Sequence, residues 1–329
     1  MNRILGVGCV GTSSIMEIIL DSLKRTEGLE PRIIYSRNLA KGKQFAHKAG
    51  ISEACDDFDA MITRQDIDVI YIASPNYIHA KQAIAALNAG KHVIVEKPAC
   101  VTEYEVIRMH EAAVRNNVYF FEATTTLWMP NYLKMKECLP QLGNINSVTF
   151  AHGQYSSKYD AYLRGENPNI LNPEMKTGAL NDMGIYCIHA AVDLWGEPDE
   201  TEYIAEYGPN GIDLHGTLRM HYGDLCVNVI CSKCRTPDGG NGSRICGENG
   251  NFLQTGMIHE FTGCSFNLKG ECITVDEQHE SNRMVYEHRL FRDCILNSDS
   301  EAFEKYAQQS RICAKILEKS HMNDTVGEK

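Results

Sequence analysis

Over residues 1–121 short β-rich runs alternate with helical segments, and no other feature restricts the fold of this chain as strongly. The run at 4–8 leads into a helical segment at 14–24, 32–36 into 39–49, 69–73 into 77–89 and 92–95 into 103–116, before a last run at 118–121. Strands that each hand over to a helix pair in parallel, because the helix carries the chain back across the sheet. The expectation is a doubly wound parallel sheet with ligands at the carboxyl ends of its strands.

Beyond residue 122 the pattern changes. Helices are expected near 132–139 and 182–195, and strands at 147–154, 202–207, 211–222, 225–232, 243–246, 251–255, 265–268 and 271–275, with a closing helix over 300–320. Runs of strands with few crossovers predict a large, mostly antiparallel open sheet in an α+β domain. The exposed face of such a sheet is the expected surface for a homo-oligomer, a dimer or tetramer. The division expected is 1–121 for dinucleotide binding and 122–329 for substrate binding and oligomerisation.

The chain has 329 residues and a formal net charge of -11, which argues against nucleic acid or an anionic membrane as a partner. Thirteen cysteines at irregular spacing read as buried thiols of a reducing compartment, and no metal site is expected. The start of the chain reads as a first strand, and no apolar run approaches the length of a bilayer span. A cytoplasmic location is expected.

Gly6-Val7-Gly8-Cys9-Val10-Gly11 fits G-x-G-x-x-G between a strand and a helix. In that context the glycines permit a tight turn, close approach to a pyrophosphate and close helix packing, so the α/β part is read as a Rossmann dinucleotide-binding domain. The second strand ends Ser36-Arg37 without an acid. A hydroxyl and a guanidinium suit a 2′-phosphate, which favours NADP over NAD. Ser74, Pro75, Asn76 and His79 follow the next expected strand and are assigned to the cofactor loop, His79 with helix capping or core packing as an alternative.

Glu96-Lys97-Pro98 ends the fourth run, delivering a lysine to the lip of the sheet. In the helix near 182–195, Asp182, Tyr186, His189 and Asp193 fall within an arc of about 60° at about 100° per residue. This narrow polar seam suits the edge of an active site, with Asp182 and Tyr186 the candidates for chemistry and His189 for substrate contact. Tyr159 and Asn172, from the segment before that helix, are expected to line the substrate side.

The glycine pattern, Ser74-Pro75-Asn76, Glu96-Lys97-Pro98 and 178–186, in this order, resemble the glucose-fructose oxidoreductase/inositol dehydrogenase (Gfo/Idh/MocA) family. The resemblance implies nicotinamide-dependent chemistry on sugars, polyols or related carbinols, with Glu96 and Lys97 beside the cofactor, Lys97 as the active-site lysine and Asp182 as its aspartate. Tyr186 stands where many members have histidine, so the chain looks like the branch containing dihydrodiol dehydrogenases, where that tyrosine is the proposed acid/base. After Glu122 the chain departs from the pattern of many relatives, with Thr125, Leu127 and Trp128 in place of tryptophan, arginine and phenylalanine, so the pocket wall at Trp128 is expected to differ. Two alternatives stand beside a dehydrogenase: a glycosidase-like enzyme that recycles its NAD, and a dinucleotide-responsive regulatory protein.

Overall fold

Leu5, Val7, Cys9 and Val10 are each at most 1 % exposed, as a strand covered on both faces requires. In the computed structural model, which describes residues 3–237 and 239–323, this run is β1 (Leu5–Val10). It is followed by α1 (Ser14–Arg25), β2 (Leu29–Tyr35), α2 (Leu39–Ala49), β3 (Glu53–Cys55), α3 (Phe58–Ile62), β4 (Val69–Ile72), α4 (His79–Asn88), β5 (His92–Glu96), α5 (Glu103–Asn116) and β6 (Phe120–Ala123). The six strands form one parallel sheet in the order β3-β2-β1-β4-β5-β6. The order reverses between β1 and β4, which is the switch point of a doubly wound sheet. The last strand starts two residues later than its apolar run suggests. Asn117 caps α5 in the left-handed conformation, and the Val118 amide is spent on the Ala113 carbonyl at 3.0 Å.

The chain continues through α6 (Pro130–Cys138), β7 (Ile145–Gly153), α7 (Tyr159–Leu163), α8 (Ile185–Trp195), β8 (Glu200–Tyr207), β9 (Asp213–Tyr222), β10 (Leu225–Ser232), β11 (Gly242–Gly247), β12 (Gly250–Gln254), β13 (Cys264–Leu268) and β14 (Glu271–Val275). It closes with α9 (Met284–Asn297) and α10 (Ser300–Asn323). Strands β7 to β14 form an eight-stranded sheet, β14-β13-β12-β11-β7-β10-β9-β8, antiparallel except between β7 and β10. Helix α8 packs on β7 and β10. Along β8, Thr201 and Tyr203 are buried while Glu202 and Ile204 are exposed, so one face of the sheet forms core and the other does not.

Two compact units result: Met1–Ala123 with Glu280–Arg311, and Thr124–His279 with Ile312–Lys329. The sequence reading assigns all of 122–329 to one domain, whereas α9 packs with the first sheet. Asn282 donates through Nδ2 to the Ile18 carbonyl and to Asp21 Oδ2, both at 2.9 Å, and Phe291 stacks on Phe121 with ring centroids 4.6 Å apart. Stacked aromatic pairs contribute about 0.5–1.5 kcal/mol beyond their buried area.

Helix α9 also brings polar groups under the sheet. Glu287 and His288 are both fully buried. The Tyr71 hydroxyl donates to Glu96 Oε1 at 3.0 Å, and His288 Nδ1 pairs with Ser22 Oγ at 2.8 Å. Both Glu287 carboxyl oxygens lack a hydrogen-bond partner among the described residues. Burial first, and then the neighbouring Glu96 charge, hold the Glu287 carboxyl well above the usual carboxylate range, and burial lowers His288 to about 3.

A carboxyl whose folded-state pKa is raised binds its proton more tightly in the native than in the unfolded protein, so stability falls as pH rises above about 4.3. Glu287→Gln keeps the shape and removes that titration. The variant is expected to gain on the wild type as pH rises from 5 to 8, by about 1–3 kcal/mol at the upper end. Urea unfolding of both proteins at the two pH values checks this, and parallel pH dependences would refute it.

Candidate functional site

Strand β1 runs to Val10, so the turn into α1 is Gly11-Thr12-Ser13. Gly11 has φ 124°, and a Cβ there would lie 2.7 Å from the Ala73 carbonyl oxygen, so only glycine fits. The other glycines of the pattern lie inside the strand. Gly8 pairs with Ile33 and Ile70 across the sheet, and the Gly6 amide donates to Asp68 Oδ2 at 2.9 Å. This corrects the sequence reading of the glycine turn: Gly6, Gly8, Cys9 and Val10 are buried strand, and Thr12 and Ser13 join Gly11 at the switch point. The available cue was the strong apolar periodicity through Val10, which breaks only at Gly11, with Ser13 placed to cap the helix.

The neighbouring strands deliver their loops to the same carboxyl edge. Ser36 and Arg37 lie just past β2, with Arg37 exposed. Ser36 Oγ accepts from the Asn38 amide at 3.3 Å, and Asn38 Oδ1 caps α2 through the Lys41 amide at 3.0 Å. Past β4 come Ser74, Pro75 and Asn76, the Ser74 hydroxyl donating to Gln82 Oε1 at 2.6 Å. His79 is 1 % exposed and its ring ties two loops together, with Nε2 2.7 Å from the Ser74 carbonyl and Nδ1 3.0 Å from the Pro98 carbonyl. Burial lowers its pKa against the pull of both carbonyls. His79 is therefore a buried clip, and it influences any ligand through the loops it holds.

Strand β5 ends at Glu96, which is buried and engaged by Tyr71, so its carboxylate faces the sheet interior. Lys97 follows, half-buried, with a cis bond to Pro98. The Ala99 amide donates to Glu122 Oε1 at 3.0 Å, which closes the loop behind the lysine. The side-chain-free turn at Gly11 beside the half-buried Ser36 and the exposed Arg37 fits a dinucleotide, whose phosphates need backbone amides within reach and whose ribose end needs polar groups past β2.

In the second unit the helix near 182–195 begins as a π turn, Leu180–Gly184, before α8. Asp213 holds its start, accepting from the Leu180 amide at 2.8 Å and from the Tyr203 hydroxyl at 2.7 Å. A Cβ on Gly178 would lie 1.8 Å from Asp213 Oδ1, so that position must be glycine for the carboxylate to approach. From 178 to 192 every residue is buried except Asp182 and Tyr186. The other two members of the expected seam do different work. His189 is 2 % exposed, and Asp193 accepts from the Tyr132 hydroxyl at 2.8 Å and from Lys136 at 2.7 Å. The π turn places the early residues off the straight-helix angles assumed for that seam.

Three groups absent from the sequence reading surround these residues. The fully buried Lys233, just past β10, pairs its ammonium with Asp182 Oδ2. His152 on β7 and His259 flank the Tyr186 ring at centroid distances of 5.3 and 5.5 Å. His259 Nδ1 lies 3.1 Å from His152 Nε2, and His152 Nδ1 lies 3.3 Å from the Met183 carbonyl. That carbonyl needs a donor, so Nδ1 of His152 carries the proton and Nε2 accepts from His259. The loop bearing His259 is tied down by the segment after β6: Thr125 Oγ1 donates to the His259 carbonyl at 3.0 Å and Thr126 Oγ1 to the Ile258 carbonyl at 3.1 Å. Trp128 ends this segment, half-buried. Tyr159 stacks on Tyr162 and packs on Leu171, Ile212 and Leu214, and Asn172 is a loop cap that accepts from the Glu174 amide at 3.0 Å.

The strand order, the glycine turn and the loops beside it define a dinucleotide-binding oxidoreductase domain joined to a second, sheet-based unit. Residues 5–124 match the family model described as an oxidoreductase family with an NAD-binding Rossmann fold, and 132–253 match the GFO/IDH/MocA C-terminal domain. The chain belongs to the Gfo/Idh/MocA family of NAD(P)-dependent oxidoreductases. It is 32 % identical over 308 residues to the uncharacterized oxidoreductase YgjR of Escherichia coli, covering 94 % of this chain and 93 % of that one. It is 31 % identical over 312 residues to the scyllo-inositol 2-dehydrogenase (NADP(+)) IolU of Bacillus subtilis, covering 94 % of each. Aldose-aldose oxidoreductase from Caulobacter crescentus has the same fold, with a TM-score of 0.85 at 19 % identity over 99 % of each chain. Among the described residues no helix is long and apolar enough to cross a membrane, and no cluster of three or more metal-ligating side chains occurs.

The two glycine environments make opposite predictions. Gly8→Ala places its methyl 3.1 Å from Ile70 Cδ1 and 3.2 Å from Met61 Sδ, both movable side-chain ends, and is expected to keep NADPH affinity within about threefold. Gly11→Ala meets a backbone carbonyl at positive φ and is expected to weaken binding about tenfold or more. Fluorescence titration with NADPH distinguishes them, and equal losses would overturn the placement of the turn.

Proposed function

We propose that this chain is an NADP-preferring dehydrogenase or reductase acting on a carbinol or carbonyl carbon of a cyclic polyol, sugar or dihydrodiol. The observation that carries the reading is the partial exposure of Asp182 and Tyr186 alone between residues 178 and 192. A phenol and a carboxylate kept at the surface of an apolar helix serve something that approaches from outside. The names of the relatives support the substrate class: IolU is named for scyllo-inositol and NADP(+), and several more distant relatives for trans-1,2-dihydrobenzene-1,2-diol.

When bound, the nicotinamide supplies or accepts the hydride. Gly11, Thr12 and Ser13 hold its phosphates, and Ser36 and Arg37 the 2′-phosphate. Tyr186 takes the substrate hydroxyl proton in oxidation and returns it in reduction. Phenol and ammonium groups both titrate near 10, so neither is a good base alone at neutral pH. Lys97 is the second acid/base group of this reading, and Asp182 accepts a substrate hydroxyl and orients it. The exposed side of the second sheet, marked by Ile204 at 55 % exposed, serves as the contact between copies of the chain.

Reduction of NADP+ followed at 340 nm across a panel of inositols, sugars and dihydrodiols tests the reading. Turnover of at least one member is expected, and Tyr186→Phe and Lys97→Met are each expected to lower it about 100-fold or more with NADPH affinity nearly unchanged. Wild-type turnover in both variants would refute the acid/base assignment. NADPH is expected to bind more tightly than NADH, with Arg37→Ala erasing most of the difference. Equal affinities in the wild type would refute the role given to Ser36 and Arg37.

A further inference from the structure

Lys233 lies in Cys231-Ser232-Lys233-Cys234, where β10 gives way to a bend. Its backbone is held on both sides: the amide donates to the Leu214 carbonyl at 2.8 Å, and its own carbonyl accepts from the Ser156 amide at 2.9 Å. Its side chain is 0 % exposed, while that of Asp182, which receives the ammonium on Oδ2, is 23 % exposed. An ammonium withdrawn from water is costly unless a carboxylate answers it, and most of that cost returns if either partner is removed. A surface lysine can swing away from its partner, but this stem is enclosed along its whole length. The pair is thus one-sided, with a fixed buried cation holding a carboxylate that solvent can still reach.

We propose that Lys233 is the positioning residue of this site. Its ammonium fixes the orientation of the Asp182 carboxylate one turn before Tyr186, so that the solvent-reachable side of that carboxylate receives a hydroxyl of the polyol or sugar. This rests on the assignment of Asp182 to the substrate site. The ammonium itself touches neither substrate nor cofactor. It acts through the carboxylate, so its loss should be felt in substrate recognition and not in dinucleotide binding.

The test compares steady-state kinetics of the wild type, K233M, K233Q, D182N and D182N/K233M on whichever panel substrate the wild type turns over, with NADPH titration and thermal melts of each protein. K233M is expected to raise KM for the substrate about tenfold or more while NADPH affinity stays within about twofold. K233Q, which retains a donor, is expected to recover part of kcat/KM. In the D182N background K233M should add less than about twofold, because the lysine has no carboxylate left to orient.

A K233M protein that melts at lower temperature but keeps the wild-type KM would overturn the proposal, as would a K233M penalty that persists in full beside D182N. If K233M does not fold, D182N/K233M, which buries no unpaired charge, is compared with D182N on the same criterion. Wild-type kinetics in D182N would remove Asp182 from the site, and this inference with it. Impaired D182N beside unimpaired K233M would overturn only the role of Lys233.

Discussion

Burial leaves this protein few places to do chemistry, and the candidate residues lie where burial stops. A parallel sheet covered on both faces has few polar positions along its strands, so its chemistry collects at the strand ends. Val69 to Ile72 and Val93 to Val95 are wholly inaccessible, and the loops carrying Ser74 and Lys97 begin within two residues of them. The second unit obeys the same constraint in another form. Its central helix packs against β7 and β10, and between residues 178 and 192 only Asp182 and Tyr186 are partly open.

Beneath each set of openings lies a charged or polar group with no access to water. Under β5, Tyr71 holds Glu96 and Glu287 sits beside them, so the strand that leads to Lys97 rests on protonatable carboxyls. Under the π turn, Asp213 anchors the backbone and Lys233 anchors Asp182. Such groups are expensive to bury, and they hold a definite geometry that apolar side chains of similar volume would not. The histidine pair works alongside them: His152 reaches the Met183 carbonyl, and Thr125 secures the loop of His259, so the setting of Tyr186 is fixed from the sheet and from a loop.

Periodicity made the fold legible, because alternating runs carry their own length and hydrophobic rhythm. Leu225–Ser232 and Glu271–Val275 lie where their patterns place them. The two-unit division was less legible, since α9 has no sequence mark that sends it to the first sheet and its ties to Ile18, Asp21 and Phe121 are all long-range. The glycine turn was misplaced by a pattern match: Gly6 and Gly8 satisfy the spacing, but inside a buried strand they are packing residues. Lys97, Asp182 and Tyr186 stood out because their neighbours are apolar. Lys233 did not, because a lysine at a strand end resembles solvent-facing polarity, and only the fold shows that its stem is enclosed. His152 and His259 meet across 107 residues, a pairing that no local pattern records.

The π turn at Leu180–Gly184 has a consequence for comparing this chain with its relatives. Such a turn is an α-helix carrying one surplus residue, and Asp182 lies within it, just ahead of α8. Relatives that have lost the surplus residue would keep the apolar register of α8 and the place of its tyrosine or histidine, yet turn the aspartate toward a different neighbour. Divergence in substrate choice within such a lineage can therefore arise from an insertion or deletion of a single codon, with every side chain of the motif still in the sequence.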